Sequence, residues 1–153
     1  MLLFYVGKEI FACDSKPVVE VVPKVILKKI PHAPEFCAGL LNFGGIPVPV
    51  IDFCRLIENR PSGDSMHTRI ILFKNPDSEN QTPVMGLIAE KVTETTDQET
   101  SSFMDSGIKI KEFPYLGGVY TINGKVTQLV LIDELIKSMR SINWHEQQPV
   151  KGL

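Results

Sequence analysis

The chain has 153 residues, 43% of them hydrophobic and 22% charged, with a formal net charge of −2. That length allows one sizeable core, or two small cores sharing an interface. A nearly neutral balance without a basic run argues against nucleic acid or an anionic membrane as the main partner. The longest apolar runs are only strand-length, too short to span a bilayer.

The N-terminal run Met-Leu-Leu-Phe-Tyr-Val6 lacks the basic flank and small-residue cleavage site of a secretory signal. Cys13, Cys37 and Cys54 form no CxxC and leave one thiol over if two are paired. A reduced, cytosolic state is the expectation.

Taken in order, Leu2–Val6, a Gly7-Lys8 turn and residues 10–13 predict a first hairpin. Residues 18–22 are β-branched, carry Glu20 and are closed by Pro23, which predicts a further strand. Glu20 in such a strand is most often a solvent-facing edge charge; beside an apolar groove it would be a specificity contact. Residues 25–30 mix apolar side chains with lysines and are expected to be at least half exposed. Residues 32–39 read as one or two helical turns, with Pro34 at the first helical position and Gly39 ending the turn.

Residues 39–52 are the most telling stretch. Residues 40–43 form an apolar strand, Gly44-Gly45 suits a two-residue turn, and residues 46–50 return. Ile46, Val48 and Val50 share one face, with Pro47, Pro49 and Ile51 on the other. The two prolines remove N–H donors from one lateral side, so the strand can complete a ladder along only one edge. Asp52 is placed to cap a short helix over residues 53–57. A half-blocked hairpin suggests a barrel corner or a binding edge, not catalysis.

Residues 59–67 are a polar loop, and residues 68–73 and 84–89 are strands around a polar turn, with Val92 continuing extended. Residues 95–102 are polar, and residues 103–111 show no clear period. Residues 115–122, the Asn123-Gly124 turn and residues 125–131 make the cleanest hairpin. Asp133 is expected to cap residues 134–140, whose acid comes early and bases late, as the helix dipole favours. From Asn143 the chain is polar and expected to fray, with Trp144 able to dock.

The result is about ten short strands with brief helices: mostly β and barrel-like. A strand–turn–strand unit followed by an aspartate and a short helix occurs over residues 40–57 and again over residues 115–139. Two similar small barrels would explain that echo.

Chemistry is hard to find. His32, His67 and His145 lie in different segments without ligand spacing, so no metal site is expected. Cys37 or Cys54 with His32 would make a thiolate–imidazole pair, but small buried hydrophobes are the commoner use of such cysteines. Asp52 and Asp133 are sufficiently explained as helix caps. There is no nucleophile elbow, phosphate loop or dinucleotide fingerprint.

An ordered set of stretches carries a resemblance. It comprises Val18-Val-Glu-Val-Val22, Pro31-His-Ala-Pro34, Gly39-Leu-Leu-Asn42, Gly45-Ile-Pro-Val-Pro-Val-Ile-Asp52, Gly86-Leu-Ile-Ala-Glu-Lys-Val92, Tyr115-Leu-Gly-Gly-Val119 and Leu131-Ile-Asp-Glu-Leu135. In order and spacing it is similar to the CheW-like adaptors of bacterial chemosensory arrays. The resemblance implies one domain over residues 1–140, made of two intertwined five-stranded SH3-like β-barrel subdomains, with residues 141–153 as a polar tail. It also implies a non-catalytic scaffold in the cytoplasm, without cofactor, nucleic acid or membrane insertion. Such a scaffold couples the cytoplasmic tip of a methyl-accepting chemoreceptor to the regulatory domain of a CheA-type histidine kinase. On that likeness the receptor groove comprises Val18, Glu20, Val21, Gly39, Asn42 and Gly44.

Departures stand out. The family usually has Asn, an apolar residue, Arg and Gly at the hairpin tip, where this chain has Asn42-Phe43-Gly44-Gly45 and so lacks the planar donor fork. Glu90 stands where an aspartate is usual. Residues 86–95 and 114–117 look more similar to adaptors of Wsp-type surface-sensing pathways, whose output is a diguanylate cyclase. The alternative is a small-molecule or signal-binding β-barrel without a kinase partner, which would show an apolar pocket with a few convergent polar groups.

Overall fold

The computed structural model describes residues 1–94, 102–105 and 111–141. The strands are β1 (Leu2–Val6), β2 (Glu9–Cys13), β3 (Val18–Pro23), β4 (Cys37–Phe43), β5 (Ile46–Asp52), β6 (Arg69–Phe73), β7 (Met85–Ala89), β8 (Lys91–Glu94), β9 (Leu116–Ile122) and β10 (Lys125–Val130). The helices are α1 (Phe53–Glu58) and α2 (Ile132–Ser141). The strands form two five-stranded sheets, ordered β8-β1-β2-β10-β9 and β3-β6-β7-β5-β4. Both ends of the described chain therefore build the first sheet, and its middle builds the second.

The two sheets share one topology. In each, an edge strand and a hairpin run antiparallel, a parallel pair follows, and a second hairpin completes the sheet. The β4–β5 hairpin with α1 thus matches the β9–β10 hairpin with α2, which is the echo expected from residues 40–57 and 115–139. The prolines act as expected. β5 pairs with β4 from Ile46 to Ile51, but its parallel ladder to β7 covers only Val50, Ile51 and Asp52, beyond Pro49. A strand that cannot donate at Pro47 and Pro49 leaves its hairpin tip projecting past β7.

The core is shared. Phe4, Phe11 and Cys13 of the first sheet pack with Ile51, Ile71, Phe73 and Leu87 of the second, with Phe53 of α1 and with Leu135 of α2. The rings of Phe4, Phe11 and Phe53 interlock with centroids 4.9 to 5.9 Å apart. Burying side chains of this kind stabilises by about 1.5–3 kcal/mol each, which makes this seam the main tie between the sheets. A smaller cluster around Val48, Val50, Ile70 and Leu72 fills the second sheet's own interior, and Leu3, Ala12 and Ile122 that of the first.

An isolated backbone bridge adds to one edge strand of each sheet. Lys28 pairs with Leu40 of β4, and Met104 pairs with Val119 of β9. Here the structure corrects the helical reading of residues 32–39. Turns occupy residues 31–36, and β4 begins at Cys37. Gly39 is no helix terminus. It lies inside β4 at φ +139°, and a Cβ there would stand 2.5 Å from the Lys28 carbonyl oxygen. The glycine signal was real but marked a close backbone approach rather than a C-cap. Gly118 plays the same part beneath the Met104 carbonyl.

Asp52 caps α1, accepting from Cys54 N at 3.1 Å and Arg55 N at 3.4 Å. Asp133 is a second correction: α2 starts at Ile132, so this aspartate lies within the first turn instead of capping it. Its charge still suits the helix N-terminus. The expectations for the C-terminal tail, Trp144 included, and for residues 95–101 and 106–110 lie outside the described residues.

Candidate partner-binding site

β3 ends its sheet, hydrogen-bonded on one side to β6. Its register slips between Val18, opposite Phe73, and Glu20, opposite Leu72. A bulge of this kind re-aims the side chains that follow it. Val18 and Val21 pack against the core shared by the sheets, whereas Val19 and Val22 pack against the interior of the second sheet. Glu20 is exposed and makes no ion pair among the described residues. Strict alternation would have put Val18, Glu20 and Val22 on one face. The slip leaves Val18, opposite Phe73, on the face of the shared core, and Glu20, opposite Leu72, on the face of Val22.

The β4–β5 hairpin contributes the other residues. Asn42 is exposed and its Oδ1 accepts from Gly45 N at 2.7 Å, which fixes the turn. Gly44 sits at φ +57° with nothing within 4 Å of a Cβ built there, so a side chain would project into open space. Gly39 differs. It is buried against Leu27 and Lys28 and seats them, offering no surface to a partner. The expected residues therefore separate into Val18, Glu20 and Val21 on β3, Asn42 and Gly44 at the hairpin tip, and Gly39 behind. β3 and β4 lie at opposite ends of the sheet order, and the segment that follows β3 meets β4 at the Lys28–Leu40 pair.

Sequence reading missed an apolar groove of about 390 Å³ between the β4–β5 hairpin and α2, lined by Leu40, Pro49, Ile51, Ile136, Met139 and Arg140 among others. The signal was present in the face shared by Pro49 and Ile51. What no local pattern showed was that α2 lies over it.

The ionisable groups explain themselves structurally. Glu90 accepts from Arg60 and from the backbone N–H groups of Gly63 and Gly7, both at 2.6 Å, and is held well down, at about 2. Cys54 is fully buried, and burial, followed by the nearby charges of Glu90 and Asp52, pushes its thiol up to about 12. Cys13 is likewise buried and raised to about 12, chiefly by burial. Such thiols are poor nucleophiles. Among the described residues no group of three or more His, Cys, Asp or Glu could hold a metal ion, and no helix is long and apolar enough to cross a membrane.

The family model described as CheW-like domain matches residues 1–140. Chemotaxis protein CheW of Rhizobium meliloti (strain 1021) is 23% identical over 141 residues, spanning 90% of this chain and 87% of that protein. The crystal structure of the scaffolding protein TtCheW from Thermoanaerobacter tengcongensis aligns with a TM-score of 0.70 at 26% identity, covering 84% of this chain and 86% of that one. Sheet architecture, motif order and sequence agree: the chain belongs to the CheW-like domain family, the scaffold adaptors of chemosensory signalling.

Proposed function

We propose that the chain is a non-catalytic cytoplasmic adaptor coupling the tip of a methyl-accepting chemoreceptor to the regulatory domain of a CheA-type histidine kinase. The receptor-facing surface is the β3 edge with Val18, Glu20 and Val21, together with the hairpin tip at Asn42 and Gly44. Gly39 acts from behind by seating Leu27 and Lys28. The observation that carries this reading is the outer strand β3, on which Glu20 is exposed and unpaired among the described residues while Val18 and Val21 are only half-buried against the seam between the sheets. An apolar floor with one charge at its rim favours a partner that brings both an apolar side chain and a cation.

The test is binding of the purified chain to two partners from its own genome, the C-terminal regulatory domain of a chemosensory kinase and a receptor tip fragment. Both should bind. Glu20→Lys should weaken the receptor alone, and unchanged receptor binding would remove the groove assignment. Gly44→Arg supplies the donor fork that the hairpin lacks, and a gain in receptor affinity would mark Gly44 as a determinant of receptor choice.

Among the described residues, the groove beside α2 is the most apolar hollow that the ligand-binding alternative could use. Its lining carries a single polar side chain, Arg140, instead of a convergent polar set. Small-molecule thermal-shift screens should therefore show no stabilisation.

A further inference from the structure

We infer that Trp144, just past the end of α2, seats in the apolar groove between the β4–β5 hairpin and α2, so that the chain fills this groove itself. The groove holds about 390 Å³, and every described residue lining it is apolar except Arg140. One wall includes Leu40, Pro49 and Ile51, and the other is Ile136, Met139 and Arg140 of α2. So apolar a lining offers a free ligand few orienting contacts. Against water it carries a cost proportional to its area.

The geometry of α2 selects the occupant. Its groove wall uses the C-terminal half of the helix, beside the point from which residues 142–153 continue. Ile136, Met139 and Arg140 follow the i, i+3, i+4 spacing of one helical stripe, and the next two positions on that stripe are Asn143 and Trp144. A helical side chain covers the surface over the turn N-terminal to its own Cα, so one further turn lays the indole over Met139 and Arg140. An extended path serves as well, because three residues reach about 10 Å. Both routes are short.

Composition points the same way. Trp144 is the single tryptophan of the chain and the largest apolar side chain in residues 142–153, and the run after it, His145-Glu-Gln-Gln148, is polar. Only Ile142 and Asn143 separate it from α2, so few backbone torsions are fixed for the roughly 150–250 Å² that an aromatic side chain buries. Arg140 makes no ion pair among the described residues, and a guanidinium over an indole face is a favourable cation–π contact. The one charged residue of the groove therefore suits an aromatic occupant. A second copy competes poorly with this segment, since a short tether sets an effective concentration on the order of mM.

The single tryptophan makes the test direct, because emission from the intact chain reports Trp144 alone. Native emission should be blue-shifted from that in urea, and acrylamide should quench it several-fold less steeply. Met139→Lys should shift emission to the red and restore quenching, and Arg140→Ala, at an exposed position, should do so in part. Circular dichroism first matches each variant to wild type. As a second measurement, Trp144→Ser should bind anilinonaphthalene sulfonate several-fold more strongly than wild type, through the uncovered groove. The shielding should persist over about a hundredfold dilution. Native emission and quenching equal to those in urea would overturn the inference. So would shielding indifferent to both groove variants, which puts the indole elsewhere, or shielding that fades on dilution, which makes the occupant a second copy. None of these readouts involves receptor or kinase binding, so the adaptor reading stands or falls separately.

Discussion

Arg60 and Glu90 meet through two hydrogen bonds, Nη2 to Oε1 at 2.8 Å and Nη1 to Oε2 at 3.1 Å. Glu90 lies between β7 and β8, where the chain passes from the second sheet to the first. Its carboxylate also binds Gly7 N in the β1–β2 turn and Gly63 N in the loop after α1. One side chain therefore ties both sheets at their crossing point.

Glu90→Gln should lower stability by about 1–2 kcal/mol at neutral pH, since charge-assisted hydrogen bonds are lost at a partly exposed site. The folded-state value lies below the ordinary one, so this contribution is present above about 4.5 and is lost as pH falls toward about 2. Urea denaturation of wild type and variant across pH 7 to 2.5 should show the gap narrowing on acidification. A gap independent of pH would contradict the assignment.

Gly39→Ala should cost about 2–3 kcal/mol, because its Cβ meets the Lys28 carbonyl oxygen and φ +139° is unfavourable for a side chain. The loss should be local first. Amide exchange at Lys28 and Leu40, which are paired at 2.7 and 3.0 Å, should accelerate before the rest of the sheet. Gly118→Ala should do the same at Met104 and Val119.

Tyr115 is 2% exposed, and its hydroxyl has no hydrogen-bond partner among the described residues. Burial alone raises its ionisation well above the ordinary phenol range. Tyr115→Phe removes an unsatisfied polar group and keeps the edge-on packing with Phe113. Thermal unfolding should show no loss, and a gain of up to about 1 kcal/mol.

Native-state alkylation should reach Cys37 first, because it is only half-buried, and slowly, because burial raises its thiol pKa. Cys13 and Cys54 should react only after unfolding. Mass spectrometry of chains alkylated with and without denaturant reads this directly. Rapid native modification of Cys54 would contradict its burial.

Local chemistry was legible without coordinates. Asp52 caps a helix two and three residues away, Pro47 and Pro49 block donors within their own strand, and Asn123-Gly124 turns its own hairpin. Each signal acts within a few residues, so the sequence contains both partners. That locality also explains why strand after strand was placed near its observed bounds, and why the repeated hairpin–helix unit was visible.

Gly39 shows where such reading ends. A glycine after a proline-led turn looks the same whether it ends a helix or lets another backbone pass, and only the segment at Lys28 distinguishes them. The β3 bulge depends on the register against β6, some fifty residues downstream. Arg60 and Glu90 are 30 residues apart, and the parallel β2–β10 pair joins the two ends of the described chain. By itself, then, the sequence determined the strands, turns, caps and family likeness, because these rest on backbone preferences and neighbouring side chains. The tertiary structure alone decided which edges face solvent, which carboxylate is paired, and which apolar residues stay uncovered. Those outcomes depend on contacts whose members are distant along the chain and share no local pattern.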